Sequence, residues 1–296
     1  MASIKNRMKM FFPPSAKTVN ARLDRIEQAL VSSSASDSAF SAKELFYSCW
    51  ANNIHSVHEK SFGPFKNSCR GKDVVVAATG PSVNYFELIK PAIYIGVNHA
   101  YRIPNIHLDY LFLQDFQKGA AFSLEEVRKL DCVKFVGQHC GAYKRTFDAD
   151  APAEIFEWPD VKKFFVNHVQ GPMGNTPLMV DLEFFPLMDC FSTVFSAIDF
   201  AFYTHPKRIY LVGCDTGTYL GGHFDGRPHQ TSQYNYDAMY QGYLQVKVFA
   251  SVHYPDIEII SINPVRLKGL FKDQFTDSFL KAFPENDDCK RQASRK

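Results

Sequence analysis

The stretch D-V-V-V-A-A-T-G-P-S-V-N, from Asp73 to Asn84, constrains the chain more than any other. Val74 to Ala78 are five consecutive small or β-branched apolar residues, the pattern of a strand buried on both faces of a parallel sheet. Thr79-Gly80-Pro81-Ser82 then forces a sharp turn. Gly80 reaches backbone angles closed to other residues, Pro81 is pre-set for a first helical turn, and Ser82 or Asn84 can cap it. The expectation is a helix over about Tyr85 to Lys90, with the backbone N–H groups of the turn forming a seat for phosphate. Neither G-x-G-x-x-G nor G-x-x-x-x-G-K-[ST] is present, so the dinucleotide fingerprint and the Walker loop are not supported. An ordinary strand-to-helix turn is the plain alternative.

The same grammar of apolar strand, polar exit and helix recurs along the chain. Ala92 to Val97 reads as a strand ending in Asn98-His99, Leu108 to Leu113 as one ending in Gln114-Asp115, and Cys132 to Val136 as a fourth, preceded by a helix over Leu124 to Leu130. Gly137 to Pro177 is irregular, aromatic and proline-rich. Ser192 to Tyr203 reads as a buried helix, Arg208 to Val212 as a strand with the exit Gly213-Cys214-Asp215, Tyr234 to Val252 as a long helix and Ile257 to Ile262 as the last strand. This pattern predicts an α/β, Rossmann-like, doubly wound and mostly parallel sheet, with its ligand along the carboxyl ends of the strands.

Residues 41–284 are expected to form this domain. Ahead of it, residues 1–40 read as an arm: Val19, Leu23, Ile26 and Leu30 recur at spacings of four, three and four, and the run from Ser32 to Ser38 is a polar linker. The arm could join two copies of the chain in a homo-oligomer. A further helix, Ala42 to His58, would pack on the sheet, and 285–296 form a charged tail.

Composition narrows the function classes. A formal charge of +2 offers no electrostatic footprint for nucleic acid. The seven cysteines include no C-x-x-C pair, which suits reduced thiols in a cytosol rather than a disulfide framework or zinc ribbon. Apolar runs are too short to span a bilayer, and the expected location is cytoplasmic. Basic residues alternate with Met8, Met10, Phe11 and Phe12, so a peripheral membrane contact through the N-terminus stands beside the plainer reading of a solvated end.

Candidate site residues gather at strand exits: Thr79, Gly80, Pro81 and Ser82, then Asn98, then Gln114 with Asp115, then Gly213 and Asp215. Singly, each such residue is more often a turn or cap residue than a ligand. The loop G-C-D-T-G-T-Y-L-G-G-H-F-D-G-R-P-H adds Tyr219, His223, Asp225, Arg227 and His229 between glycines. His223 and His229 lack a third ligand at zinc spacing, so a general base is the better reading and no metal site is assigned.

V-V-V-A-A-T-G-P-S, I-Y-I-G-V-N, the buried helix feeding K-R-I-Y-L-V-G-C-D, and I-E-I-I-S-I-N-P-V together resemble the bacterial lipooligosaccharide sialyltransferases. They are also similar to a Rossmann-like group that includes the 6-hydroxymethylpterin pyrophosphokinases. The resemblance runs over about Lys72 to Phe271. It implies that Thr79 to Ser82 hold a cytidine nucleotide, that Asn98 and Gln114 or Asp115 touch it, and that Ser192-Thr193 meet donor sugar and phosphate, with Val194 in place of the family's glycine. Gly213-Cys214-Asp215 matches the family's G-I-D exit, Tyr219 stands near a phosphate-binding tyrosine, and His229 or His223 would be the base. The implied function is metal-independent, inverting transfer of an acidic sugar from a CMP-sugar donor to a surface-glycan acceptor, with no cofactor. The alternatives are a pyrophosphokinase-like enzyme using ATP, with Mg²⁺ on Asp115, Asp215 or Asp225, and a non-catalytic nucleotide- or glycan-binding scaffold.

Overall fold

A computed structural model of the chain describes residues 51–114, 116, 123–139, 151–168, 178–217, 222–228 and 233–284. The arm, the serine-rich linker, the charged tail, Asp115, Tyr219 and His229 lie outside these residues. The fold is a Rossmann-like α/β sheet. Its strands are β1 (Asp73–Ala77), β2 (Ile93–Val97), β3 (Tyr110–Leu113), β4 (Val133–His139), β5 (Val161–His168), β6 (Leu187–Asp189), β7 (Arg208–Val212), β8 (Glu258–Ile262) and β9 (Lys272–Gln274). They lie in the order β6-β5-β4-β3-β2-β1-β7-β8-β9, and every neighbouring pair is parallel. The chain winds outward from β1 to β6, then returns to place β7 on the other side of β1. Val74 is therefore paired with Ile93 on one side and Ile209 on the other.

Helical residues 51–62 (α1), α3 (Val194–Tyr203) and α4 (Gln233–His253) contribute to the larger apolar layer, on the face of Val74, Val76 and Ala78. Five phenylalanines form its centre: the rings of Phe112 and Phe135 stack at 4.6 Å, Phe200 lies 4.8 Å and Phe62 5.3 Å from Phe135, and Phe164 closes the group. The opposite face, carrying Val75 and Ala77, is covered by Val83, Ala100, Ile103, Val127 and Ile155 from turns and from the short α2 (Leu124–Arg128). Alternate β1 residues thus enter two separate cores, which is why the apolar run is unbroken. Ser123 caps α2 by accepting the Glu126 N–H at 3.2 Å. Among the described residues no helix is long and apolar enough to cross a membrane.

Three expectations are corrected. No α-helix follows β1: a 3-10 turn spans Pro81–Tyr85, and the chain after it is tied to β2 by Tyr94, whose hydroxyl accepts the Ile89 N–H and donates to the Ile89 carbonyl. The segment expected to be irregular holds β5, where Lys162 and Lys163 interrupt the apolar pattern; Lys163 lies over the rings of Phe156 and Phe165. The sheet also continues past β8 into β9, followed by α5 (Asp277–Ala282).

One edge of β5 shows how a helix completes a sheet. β6 pairs with β5 only from Val166 onward. Before that point His58 Nε2 accepts the Phe165 N–H at 2.8 Å, and Ser61 Oγ donates to the Lys163 carbonyl at 2.6 Å. Three residues apart on α1, the two side chains stand in for the missing strand.

Candidate functional site

At the carboxyl edge, where the winding reverses between β1 and β7, the exits of these two strands form a knot. Ala78 N–H donates to the Val212 carbonyl at 2.8 Å and Gly80 N–H to the Gly213 carbonyl at 2.9 Å. Asp215 accepts the Ser82 N–H at 2.8 Å and the Ser82 hydroxyl at 2.5 Å. A Cβ on Gly80 would lie 2.4 Å from the Gly213 oxygen and 2.5 Å from Asp215 Oδ2, so only glycine fits. Burial pushes the Asp215 carboxyl up to about 6 despite its bonds to Ser82.

The knot corrects the expected phosphate seat. The N–H of Gly80 is bonded to Gly213, Pro81 has none, that of Ser82 is bonded to Asp215 and that of Val83 to the Gly80 carbonyl. The turn's donors are engaged within the protein, and no α-helix begins there. Both Asp215 oxygens serve the turn.

One strand over, a second set of the expected residues meets. Asn98 leaves β2 in the left-handed region (φ 49), a conformation asparagine tolerates. Its Nδ2 donates to Thr193 Oγ1 at 3.1 Å, and its Oδ1 accepts the Gln114 N–H at 3.4 Å. Gln114 Nε2 donates to Ser196 Oγ at 3.1 Å. The exits of β2 and β3 are thereby tied to the first turn of α3, which carries no acidic residue and presents the positive end of its dipole to the edge. Ser192 Oγ accepts the Val194 N–H at 3.4 Å. Gln114 is 5% exposed, yet its Oε1 has no hydrogen-bond partner among the described residues.

Over the other face of the edge, residues 222–228 form an arch. His223 N–H donates to the Arg227 carbonyl at 2.8 Å and Gly226 N–H to the His223 carbonyl at 3.0 Å. The arch is pinned on β1's exit: Phe224 N–H donates to the Thr79 carbonyl at 2.9 Å, Asn84 Nδ2 to the Phe224 carbonyl at 3.0 Å, and Thr79 Oγ1 lies 2.9 Å from His223 Nδ1. His99, at β2's exit, is held down to about 4 by burial first and by the positive charges of Arg227 and Arg102 next, so it is neutral at physiological pH.

Of the expected residues, the structure unites Gly80, Pro81, Ser82, Gly213 and Asp215 in the knot, Asn98, Gln114 and Thr193 in the network with Ser192 beside it, and Thr79 with His223 in the arch. Sequence reasoning missed Ser196 and the buried His99. Ser196 had a signal, since it follows Thr193 by three residues and so shares its helical face. His99 had none beyond its place after Asn98. Buried polar atoms without a partner among the described residues occur along the same edge: besides Gln114 Oε1 they include Gln138 Oε1 on β4, Thr216 Oγ1 after Asp215, and Arg227 Nη2 in the arch. Buried polar atoms are nearly always paired, so this concentration points to a polar ligand along the strand exits.

No protein-family model matches the chain, and no curated protein does. Among solved structures it is similar to that of the MAf glycosyltransferase from Magnetospirillum magneticum AMB-1, at 13% identity over 76% of this chain and 38% of that one. The TM-score is 0.44, a likeness too slight to carry an argument about function.

Proposed function

We propose that the protein is a glycosyltransferase that moves an acidic keto-sugar, sialic acid or a related compound, from a CMP-activated donor to a hydroxyl of a surface glycan. The observation that carries this reading is the network joining Asn98, Gln114, Thr193 and Ser196, which gathers polar groups of two strand exits and one helix N-terminus and leaves Gln114 Oε1 without a donor among the described residues. Nucleotides bind where strand exits meet helix N-termini in such sheets. The resemblance to the sialyltransferases rests on Asn98, Ser192 and Thr193 among others, and these are the residues brought together here.

In this reading the hydroxyls of Ser192 and Thr193, at the positive end of the α3 dipole, receive the CMP phosphate, since the N–H groups of Val194 and Phe195 are bonded to Ser192 as those of the Gly80–Ser82 turn are bonded to Gly213 and Asp215, and Asn98 and Gln114 receive nucleoside and sugar hydroxyls. The acceptor oxygen attacks the anomeric carbon while the bond from that carbon to the phosphate oxygen breaks. CMP leaves with the electron pair, and a histidine takes the acceptor's proton. His223 fits this role: with Nδ1–H donating to Thr79, Nε2 is the basic nitrogen. His229, the other expected base, belongs to the neighbouring segment outside the described residues.

Diphosphate transfer from ATP with Mg²⁺ would call on carboxylates. Two of the three expected are committed elsewhere, Asp215 to Ser82 and Asp225 to Arg227. A thermal-shift panel of CMP, CDP, UDP, GDP and ATP, each with Mg²⁺ or EDTA, tests the choice, because ligands of the native state raise its midpoint. A shift with CMP that survives EDTA is expected. A shift with ATP and Mg²⁺ alone would replace this reading with the pyrophosphokinase, and no shift at all with the scaffold.

A further inference from the structure

The arch of residues 222–228 is closed by its own backbone hydrogen bonds and carries a cation, Arg227, one of whose guanidinium nitrogens has no hydrogen-bond partner among the described residues. Gly222 has φ 57, and a Cβ there would lie 2.6 Å from the Arg227 oxygen, so the arch closes only on a glycine. Within it Arg227 Nε donates to Asp225 Oδ2 at 2.6 Å, and the Arg227 N–H reaches Asp225 Oδ1 at 3.4 Å. The far end of the guanidinium is different: Nη2 is shielded from solvent and has no hydrogen-bond partner among the described residues. A planar guanidinium offers five donors suited to bidentate capture of an oxyanion, and leaving one of them dry and unpaired is costly. His99 senses the charges of Arg227, Arg102, Asp225 and His223, which therefore gather near the exit of β2. Asp225 is the one anion among these, and it is already engaged at Nε. Thr79, which holds the arch, belongs to the exit of β1, and His99, which senses the Arg227 charge, follows Asn98 at the exit of β2, so the arch lies beside the strand ends of the donor reading.

We propose that Arg227 is the receptor for the carboxylate of the donor sugar, and so the residue that selects an acidic sugar over a neutral one. This rests on the donor reading above. The phosphate is met from the α3 side; the sugar carboxylate, on the other side of the anomeric carbon's substituents, meets the arch. One oxygen of the carboxylate takes Nη2 and the pairing completes the fork.

The shared chemistry is an anionic oxygen, which phosphate could also supply, and titration calorimetry distinguishes the two. The probes are CMP, a 3-fluoro CMP-N-acetylneuraminate that does not turn over, and the methyl ester of that compound, each titrated into wild type, Arg227→Gln and Arg227→Lys. Wild type is expected to bind the free acid about 10- to 100-fold more tightly than the ester, the scale of a charge-assisted hydrogen bond. Arg227→Gln abolishes that preference and leaves CMP affinity unchanged, which also shows that the variant is folded; Arg227→Lys keeps part of it. Retention of the acid-over-ester preference in Arg227→Gln would overturn the assignment, and so would an equal loss of CMP affinity, which would make Arg227 a phosphate ligand. If wild type binds none of the three compounds, the donor reading itself falls, and the assignment with it.

Discussion

His58 should make the fold acid-sensitive in a way that one substitution removes. It is fully buried on α1; Nδ1 lies 2.7 Å from the Leu182 carbonyl and Nε2 accepts the Phe165 N–H. Because a backbone N–H faces Nε2, the proton must sit on Nδ1 and the ring must be neutral. Burial, the largest cause, lowers its pKa from 6.5 to about 4. A base whose folded pKa lies below its unfolded one stabilises the fold above the unfolded value and loses that contribution as pH falls through 6.5 toward about 4. The whole window corresponds to about 3 kcal/mol, and a fall from about pH 7.5 to about pH 5 removes about 2 kcal/mol of it. Other groups titrate too, and Asp215 acts in the opposite sense. The assay is therefore a difference: urea unfolding of wild type and His58→Gln at both pH values. Glutamine can donate to Leu182 and accept from Phe165 without titrating. The acid-induced loss in wild type should exceed that in His58→Gln by about 2 kcal/mol. Equal losses in the two proteins would refute the buried, neutral imidazole.

Three other substitutions probe the edge. Asp215 has its folded pKa raised from 3.8 to about 6, so its contribution is intact below 3.8 and is lost as pH rises through about 6; Asp215→Asn should remove a fall of about 3 kcal/mol between those values, read by denaturant unfolding. Gly80→Ala sets a methyl group against the Gly213 carbonyl at 2.4 Å, backbone against backbone, and should cost about 3 kcal/mol or more, seen as a large drop in the thermal midpoint by circular dichroism. Thr79→Val keeps the shape but removes the Thr79 hydrogen bond to the His223 ring; stability should fall by about 1 kcal/mol, while kcat with a CMP-sugar donor falls about 10- to 100-fold at nearly constant KM. A change in KM alone would assign Thr79 to binding instead.

How much of this was legible in the chain depends on the range of each interaction. β1, β2, β3 and β7 were readable because each is an unbroken apolar run buried on both faces, a local signal. β5 was not, since Lys162 and Lys163 break its run and their tolerance depends on the aromatic rings of Phe156 and Phe165 beside Lys163. The helix expected after β1 failed for a similar reason: the hydroxyl of Tyr94, on the next strand, holds Ile89 in another conformation. The polar exits were legible as a set, because polar residues at the end of a buried strand have few other uses. Their pairing was not. Ser82 meets Asp215 and Thr79 meets His223 only because the winding returns β7 to the side of β1.

That return also decides where a ligand can sit. The crevice between β1 and β7 is the place such sheets usually offer for a phosphate. Here Asp215 fills it with a carboxylate of the protein's own, bonded to the N–H and hydroxyl of Ser82 that an incoming phosphate would need. Displacing it would bring two negative charges together in a buried place and leave Ser82 to choose between them. Besides Thr216 Oγ1 next to Asp215 and Gln138 Oε1 on β4, two further groups along this edge have no partner among the described residues: Gln114 Oε1 beside the first turn of α3, and Arg227 Nη2 in the arch on β1's exit. One is an acceptor and one a cationic donor, on opposite faces of the edge. A ligand satisfying both must carry hydroxyl donors at one end and an anionic oxygen at the other, and must cross the exits of β1 and β2 between them. A sugar acid joined to a nucleotide has that pattern.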